Sequence, residues 1–157
     1  MAETLGSLID KLSIKNLRLW HLDEILAEKT GPETDELKAK KELIVRQASE
    51  LVDEINGFLA LAVEGKIKIR DQKLKLYKNL NVGSVENLDG IGSAISELAQ
   101  RNIQLWHLED EVRRQDIPDS RVAECKRRID SVNQERNDLI DKIDEILETK
   151  AGKRPAG

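Results

Sequence analysis

The sequence is poor in the residues that usually staple or stiffen a fold. It has one cysteine, three prolines, one methionine, two Trp, one Tyr and one Phe in 157 residues. A lone Cys125 excludes an internal disulfide framework and a cysteine-built metal site. Aromatics at 3% argue against sandwiches and barrels, whose strands draw on aromatic and β-branched side chains. No apolar run approaches the ~20 residues that a membrane-spanning helix needs. The start, Met1-Ala2-Glu3-Thr4, is acidic and polar, with no basic region leading into an apolar one. Neither a signal nor a transit peptide is expected, and the chain reads as cytoplasmic. Neither sign of charge dominates: 26 Lys and Arg face 30 Asp and Glu, for a net charge of −4. That balance speaks against a whole-surface binder of nucleic acid or membranes.

What is present is a mixture of Leu, Ile, Glu, Lys and Asp, with 36% charged and 39% hydrophobic residues. It suits long amphipathic helices around one core, within one domain over residues 1–157. Spacing at about 100° per residue predicts four helices. The first runs from Thr4 to Glu28 or Lys29, capped by Thr4 or Ser7 and stopped by Gly31-Pro32. Its main stripe is Leu5, Leu8, Ile9, Leu12, Leu19, Trp20, Leu26 and Ala27. A second ridge, Ile14, Leu17, His21 and Ile25, lies roughly opposite and requires a cover. The second helix spans Glu33 to about Val63, the third Gly90 or Ser93 to Gln115, and the fourth Asp119 to about Lys150. The tail, 151–157, is expected to be disordered.

Between the second and third helices the pattern changes. Lys66-Ile67-Lys68-Ile69-Arg70 and Lys73-Leu74-Lys75-Leu76-Tyr77 alternate with period two, as in a short β-hairpin or an extended crossover. The basic residues Lys66, Lys68, Arg70, Lys73, Lys75 and Lys78 face only Asp71, which makes them candidates for an anion or nucleic-acid site. The competing reading, a solvated edge whose Ile and Leu pad the bundle, is preferred, and nucleic acid is disfavoured as a partner. Asn79 to Gly92 returns the chain as a loop.

The chain reads as a duplication. Asn16, Leu19, Trp20, His21, Leu22 and Asp23 answer Asn102, Leu105, Trp106, His107, Leu108 and Glu109 at one constant offset. Leu5-Gly6-Ser7 answers Ile91-Gly92-Ser93 at the same offset. Leu51-Val52-Asp53 answers Leu139-Ile140-Asp141 after a two-residue slip. The unit is a helical hairpin, residues 4–63 and 90–150, joined by a basic crossover, 64–89. Two such hairpins predict an all-α antiparallel four-helix bundle of approximate twofold symmetry.

Asn16, Asp23, Asn102, Glu109 and Arg136 all fall on apolar stripes and form a candidate polar core. Buried, they require partners or water. Counting back from the last turn puts Arg136 level with Ala99 and Asn102, roughly 15 Å along the axis from Glu109. Arg136 is therefore expected to reach Asn102 or a group on the first hairpin. A di-metal site is not expected, because bundles of that kind set Glu-x-x-His on one inward face. Here His21 and His107 precede the acids by two residues. Asp138, Asp141 and Asp144 have acidic-cluster spacing but are expected to face outward. Both Trp are expected to anchor the core. No metal or cofactor is predicted.

Two pieces of the second hairpin resemble a bacterial helical family catalogued as a domain of unknown function. They are Asn102-Ile103-Gln104-Leu105-Trp106-His107-Leu108-Glu109-Asp110 and Arg128-Ile129-Asp130-x-x-Asn133-Gln134-x-Arg136-Asn137-Asp138-Leu139-Ile140. The resemblance covers chiefly Gly90 to Leu147 and implies Trp106, His107, Glu109, Asn133, Arg136, Asn137 and Asp138 as positions of interest. It implies no activity. The first hairpin carries Ala48-Ser49-Glu50 where that pattern has Arg-Asn-Asp.

The favoured expectation is an interaction or scaffold module that self-associates through the second ridge, as a homodimer or with a protein partner. Catalysis at the polar core, with a small molecule or metal, is the alternative and requires a solvent-connected cavity beside Asn102, Glu109 and Arg136. Anion binding at the crossover is the third reading.

Overall fold

The structure, a computed structural model, describes residues 3–72 and 90–152. It is all-α, with helices α1 (Leu5–Glu28), α2 (Glu33–Val63), α3 (Ile91–Val112) and α4 (Asp119–Gly152) packed against one another. Thr4 caps α1 in a reciprocal box: the Ser7 N–H donates to Thr4 Oγ1 and the Thr4 N–H donates to Ser7 Oγ. The helix ends before Gly31, whose φ of 115° lies where only glycine is at ease. Pro32 then caps α2.

The helices pair as two hairpins, α1 with α2 and α3 with α4, and the hairpins meet through α1, which lies against both α3 and α4. α1 and α3 run in the same direction: Asp10 bonds Asn102 near one end, and His21 packs on Trp106 farther along. The main core gathers Leu5, Ala62, Ala94, Leu98, Leu139, Ile143, Ile146 and Leu147 at one end. A smaller cluster of Leu105, Leu108, Cys125 and Val132 fills the α3–α4 interface at the other end.

The second ridge of α1 is covered within the chain. Gly6, Asp10 and His21 meet Asp144, Arg136 and Trp106 of the other hairpin. Ile14 and Leu17 face the same side. The self-association surface expected there is thus occupied by α3 and α4. Residues 66–72 form an extended crossover without a strand; Ile67 and Ile69 pack on the main core. The second half of the expected β-hairpin, Lys73 to Tyr77, lies outside the described residues, as do Asn79 to Asp89 and 153–157.

Candidate functional site

Asp10 organises the polar interior. It lies on the second ridge of α1, four residues before Ile14, and is 4% exposed. Arg136 of α4 grips it with both arms of its fork, Nε to Oδ1 at 2.9 Å and Nη2 to Oδ2 at 2.6 Å. Asn102 of α3 donates from Nδ2 to the same Oδ1 at 3.0 Å. Three helices are therefore pinned by one carboxylate, in the planar bidentate geometry that suits guanidinium. The carboxylate raises the Arg136 pKa above its ordinary value, so the guanidinium stays charged despite partial burial. Among the described residues no buried side-chain nitrogen or oxygen lacks a hydrogen-bond partner.

A second buried carboxylate fixes the start of α1. Asp144, 2% exposed, accepts the Gly6 N–H at 2.7 Å. An acid facing a free N–H in the first turn meets the positive end of the helix. Glycine is required at position 6 because a Cβ there would lie 2.4 Å from the Ile140 carbonyl oxygen. The outward orientation expected for Asp144 is thus corrected: α4 turns it toward α1, and the backbone approach that Gly6 permits buries it. Asp138 and Asp141 are half-buried. Gly92, at the same second position of α3, has nothing within 4 Å.

Of the five expected core residues, only Asn102 and Arg136 meet. Asn16, Asp23 and Glu109 are exposed. Asp23 pairs with Lys41 of α2 at 2.5 Å, and Asn16 lines a groove between α1 and α3. The stripe of α1 packs in the common core over its first half, but farther along, at Asn16 and Asp23, it points to α2 and to open solvent. Glu109 keeps its place on the α3 stripe, at a level where α3 borders an opening. Arg136 reaches the first hairpin, as its level predicted, yet its partner is Asp10. The signal for Asp10 was its place on the ridge: Gly6, Asp10, Ile14, Leu17, His21 and Ile25 continue at helical spacing.

Two openings flank the contact between α1 and α3. One is an apolar groove of about 710 Å³ lined by Ile9, Leu12, Leu17, Trp20, Ile95, Ile103, Trp106 and His107, among others. Trp20 is 51% exposed on its rim, not a core anchor. The other is a polar cleft of about 410 Å³ between α1, α3 and α4, lined by Arg18, Asn102, Trp106, Glu109, Asp110, Arg113, Asn133 and Arg136 with Ile14, Leu17 and Leu105. The cavity that a site beside Asn102, Glu109 and Arg136 requires is therefore present. His107 and Asn137 are exposed, and His107 belongs to the groove, away from the cleft.

The described part of the basic crossover carries its own counter-charges. Lys66 pairs with Glu64 at 2.6 Å and Lys68 with Asp71 at 2.7 Å. Arg70 reaches Glu148 at 3.4 Å and the Asp141 carbonyl. Lys73, Lys75 and Lys78 lie outside the described residues. Among those described, no group of three or more His, Cys, Asp or Glu could hold a metal ion, and no helix is long and apolar enough to cross a membrane.

Residues 93–156 match the family DUF4254, described as a protein of unknown function. The matched stretch begins at the start of α3 and includes every cleft residue except those that α1 contributes. No curated protein and no solved structure matches the chain.

Proposed function

We propose that the protein is a self-associating helical module whose partner surface is the face shared by α2, α1 and α3. The observation that carries this reading is a set of exposed apolar side chains on neighbouring helices. Val52, Leu59 and Val45 of α2 are 43%, 38% and 48% exposed, and Trp20 and Ile103 beside the groove 51% and 45%. Val45, Val52, Leu59 and Val63 recur at intervals of seven and four on one flank of α2. Lys41 on that flank pairs with Asp23, on the flank of α1 that carries Asn16 and Trp20. On the opposite flanks, Lys15 bonds Gln47 at 2.7 Å. The α2 stripe and the α1–α3 groove therefore lie on the same side.

Three helices at spacings of 8–10 Å, over the ~27 Å from Val45 to Val63, give roughly 700–800 Å². That matches the ~800 Å² per partner of a stable interface. A second copy can lay its α2 stripe along the groove while offering its own groove in return, which is the closed twofold arrangement. The duplicated hairpin read from the sequence supports the same kind of occupant, a second helical hairpin. A cytoplasmic location and the absence of a cofactor belong to this reading.

The test is light scattering across a dilution series. The wild type is expected at twice the chain mass, with Trp20→Glu and Val52→Glu shifting it to the monomer without loss of helicity. A monodisperse wild-type monomer at every concentration overturns the proposal.

A further inference from the structure

The polar cleft opens on the side of α1 away from the groove, and its wall brings charges of both signs together from three helices. Elsewhere on α3 the spacing that brings opposite charges together is used: Arg101 closes on Glu97, four residues earlier, at 3.2 Å. Glu109 and Arg113 have the same spacing in the more favourable order, acid first. Their side chains form no ion pair with each other; the Arg113 N–H donates to the Glu109 carbonyl within the helix, and Glu109 acts on Arg136 through its charge, without a hydrogen bond. The side chains of Arg18 across the cleft and Asn133 beside it have no hydrogen bond or ion pair among the described residues. The closed end is different: Arg136 has its Nε and Nη2 committed to Asp10, so that wall is rigid. Trp106, Leu17 and Ile14 supply an apolar side.

The lining thus offers, one helical turn apart, a cation and a carboxylate that form no side-chain ion pair with each other, beside an Arg136 held by Asp10, in a volume suited to a small molecule. A simple anion would complement Arg18 and Arg113 but leave Glu109 facing it. A simple amine would do the reverse. A polyanion is opposed by Glu109 and Asp110 together. A group that answers both signs of the lining carries a positive and a negative charge within about one helical turn.

We propose that this cleft binds a small zwitterion of the α-amino-acid class, its carboxylate held by Arg113 and Arg18 and its ammonium by Glu109. Asn133 supplies a further hydrogen bond, and Trp106 with Leu17 meets the ligand's carbon skeleton. The site stands independently of the dimer, because its polar lining faces away from the apolar face.

The experiment is a titration of ¹⁵N-labelled protein followed through its two indole N–H signals. Trp106 lines the cleft and Trp20 does not, so one signal reports and the other controls. The probes are acidic, basic, aliphatic and aromatic L-amino acids, each with its matched amine lacking the carboxylate and its matched acid lacking the amine. At least one amino acid is expected to shift the Trp106 signal saturably. Both matched fragments, and both Glu109→Gln and Arg113→Gln, are expected to weaken binding by about tenfold or more. Both residues are exposed, so these variants retain the fold, and their mass by light scattering is expected to equal the wild type's. A Trp106 signal unmoved by every amino acid overturns the proposal. So does binding of the matched acids as tightly as the amino acids, undiminished in Glu109→Gln, which would make the cleft an anion site.

Discussion

Replacing Asp10 with Asn removes one charge and almost no volume, and so isolates the electrostatics of the three-helix pin. Asp10 is nearly inaccessible, while the Arg136 side chain is 28% exposed. Breaking a fully buried pair by neutralising one partner costs about 3–5 kcal/mol, and an exposed pair is worth about 0–1 kcal/mol. Half-open Arg136 can recover some hydration, which places Asp10→Asn at about 2–3 kcal/mol. For a chain of this length that is a fall in thermal midpoint of roughly 5–10 °C. The assay is urea and thermal unfolding followed by circular dichroism, with Asp10→Leu/Arg136→Met as the partner variant. Removing both charges leaves only the buried Asn102 amide without its acceptor, so the double substitution is expected to recover part of the loss, to within about 1–2 kcal/mol of wild type. If Asp10→Asn costs under about 0.5 kcal/mol, or the double variant is no better than the single, Arg136 is not held by Asp10 in the way described.

The two glycines at the second position of α1 and α3 should answer a methyl group with opposite signs. Gly6→Ala drives a Cβ into the Ile140 carbonyl and is expected to cost about 1–3 kcal/mol. Gly92→Ala meets nothing and should gain roughly 0.5–1 kcal/mol from helix propensity; parallel thermal melts compare them. Arg121 donates to both oxygens of Glu111, at 2.6 and 3.1 Å, and holds its carboxyl below the usual range. Its folded pKa lies under its unfolded one, so the contribution is complete above about pH 5 and fades as pH falls through the folded value. Melting midpoints between neutral pH and pH 3 should drop less steeply in Glu111→Gln than in wild type. Burial and the neighbouring Glu111 carboxylate push the Cys125 thiol up. It should react with a thiol reagent only as fast as the protein unfolds, measured by alkylation in rising urea.

Helix number, order and most boundaries were legible because period and punctuation agree: Thr4 caps α1, Gly31-Pro32 ends it, and Glu33 to Val63 runs unbroken. The centre of the site was less so. A stripe shows that a helix is buried, but α1 is buried on two sides against different partners, and periodicity alone does not say which side holds the shared interior. Asn16 and Asp23 lie on the side that is not that interior. Asn102 and Arg136 lie deep on α3 and α4 as their stripes predict, whereas Glu109 shares the α3 stripe but sits where it opens into the cleft. Asp144 escaped for a related reason. Its burial depends on how closely Gly6 lets another backbone approach, a distance that no pattern within α4 encodes.

The pin and the helix-start lock have a consequence for the order in which the protein can be completed. They join Asp10 to Arg136 and Gly6 to Asp144 across 126 and 138 residues of chain. At the pace of synthesis, about 5–20 residues per second, Asp10 emerges some 6–25 s before its arginine is made. Through that interval α1 and α2 can pair locally, but the ridge of Ile14, Leu17, His21 and Ile25 has no cover. The nascent chain therefore carries its most exposed apolar surface earliest, and the second hairpin, on emerging, closes it.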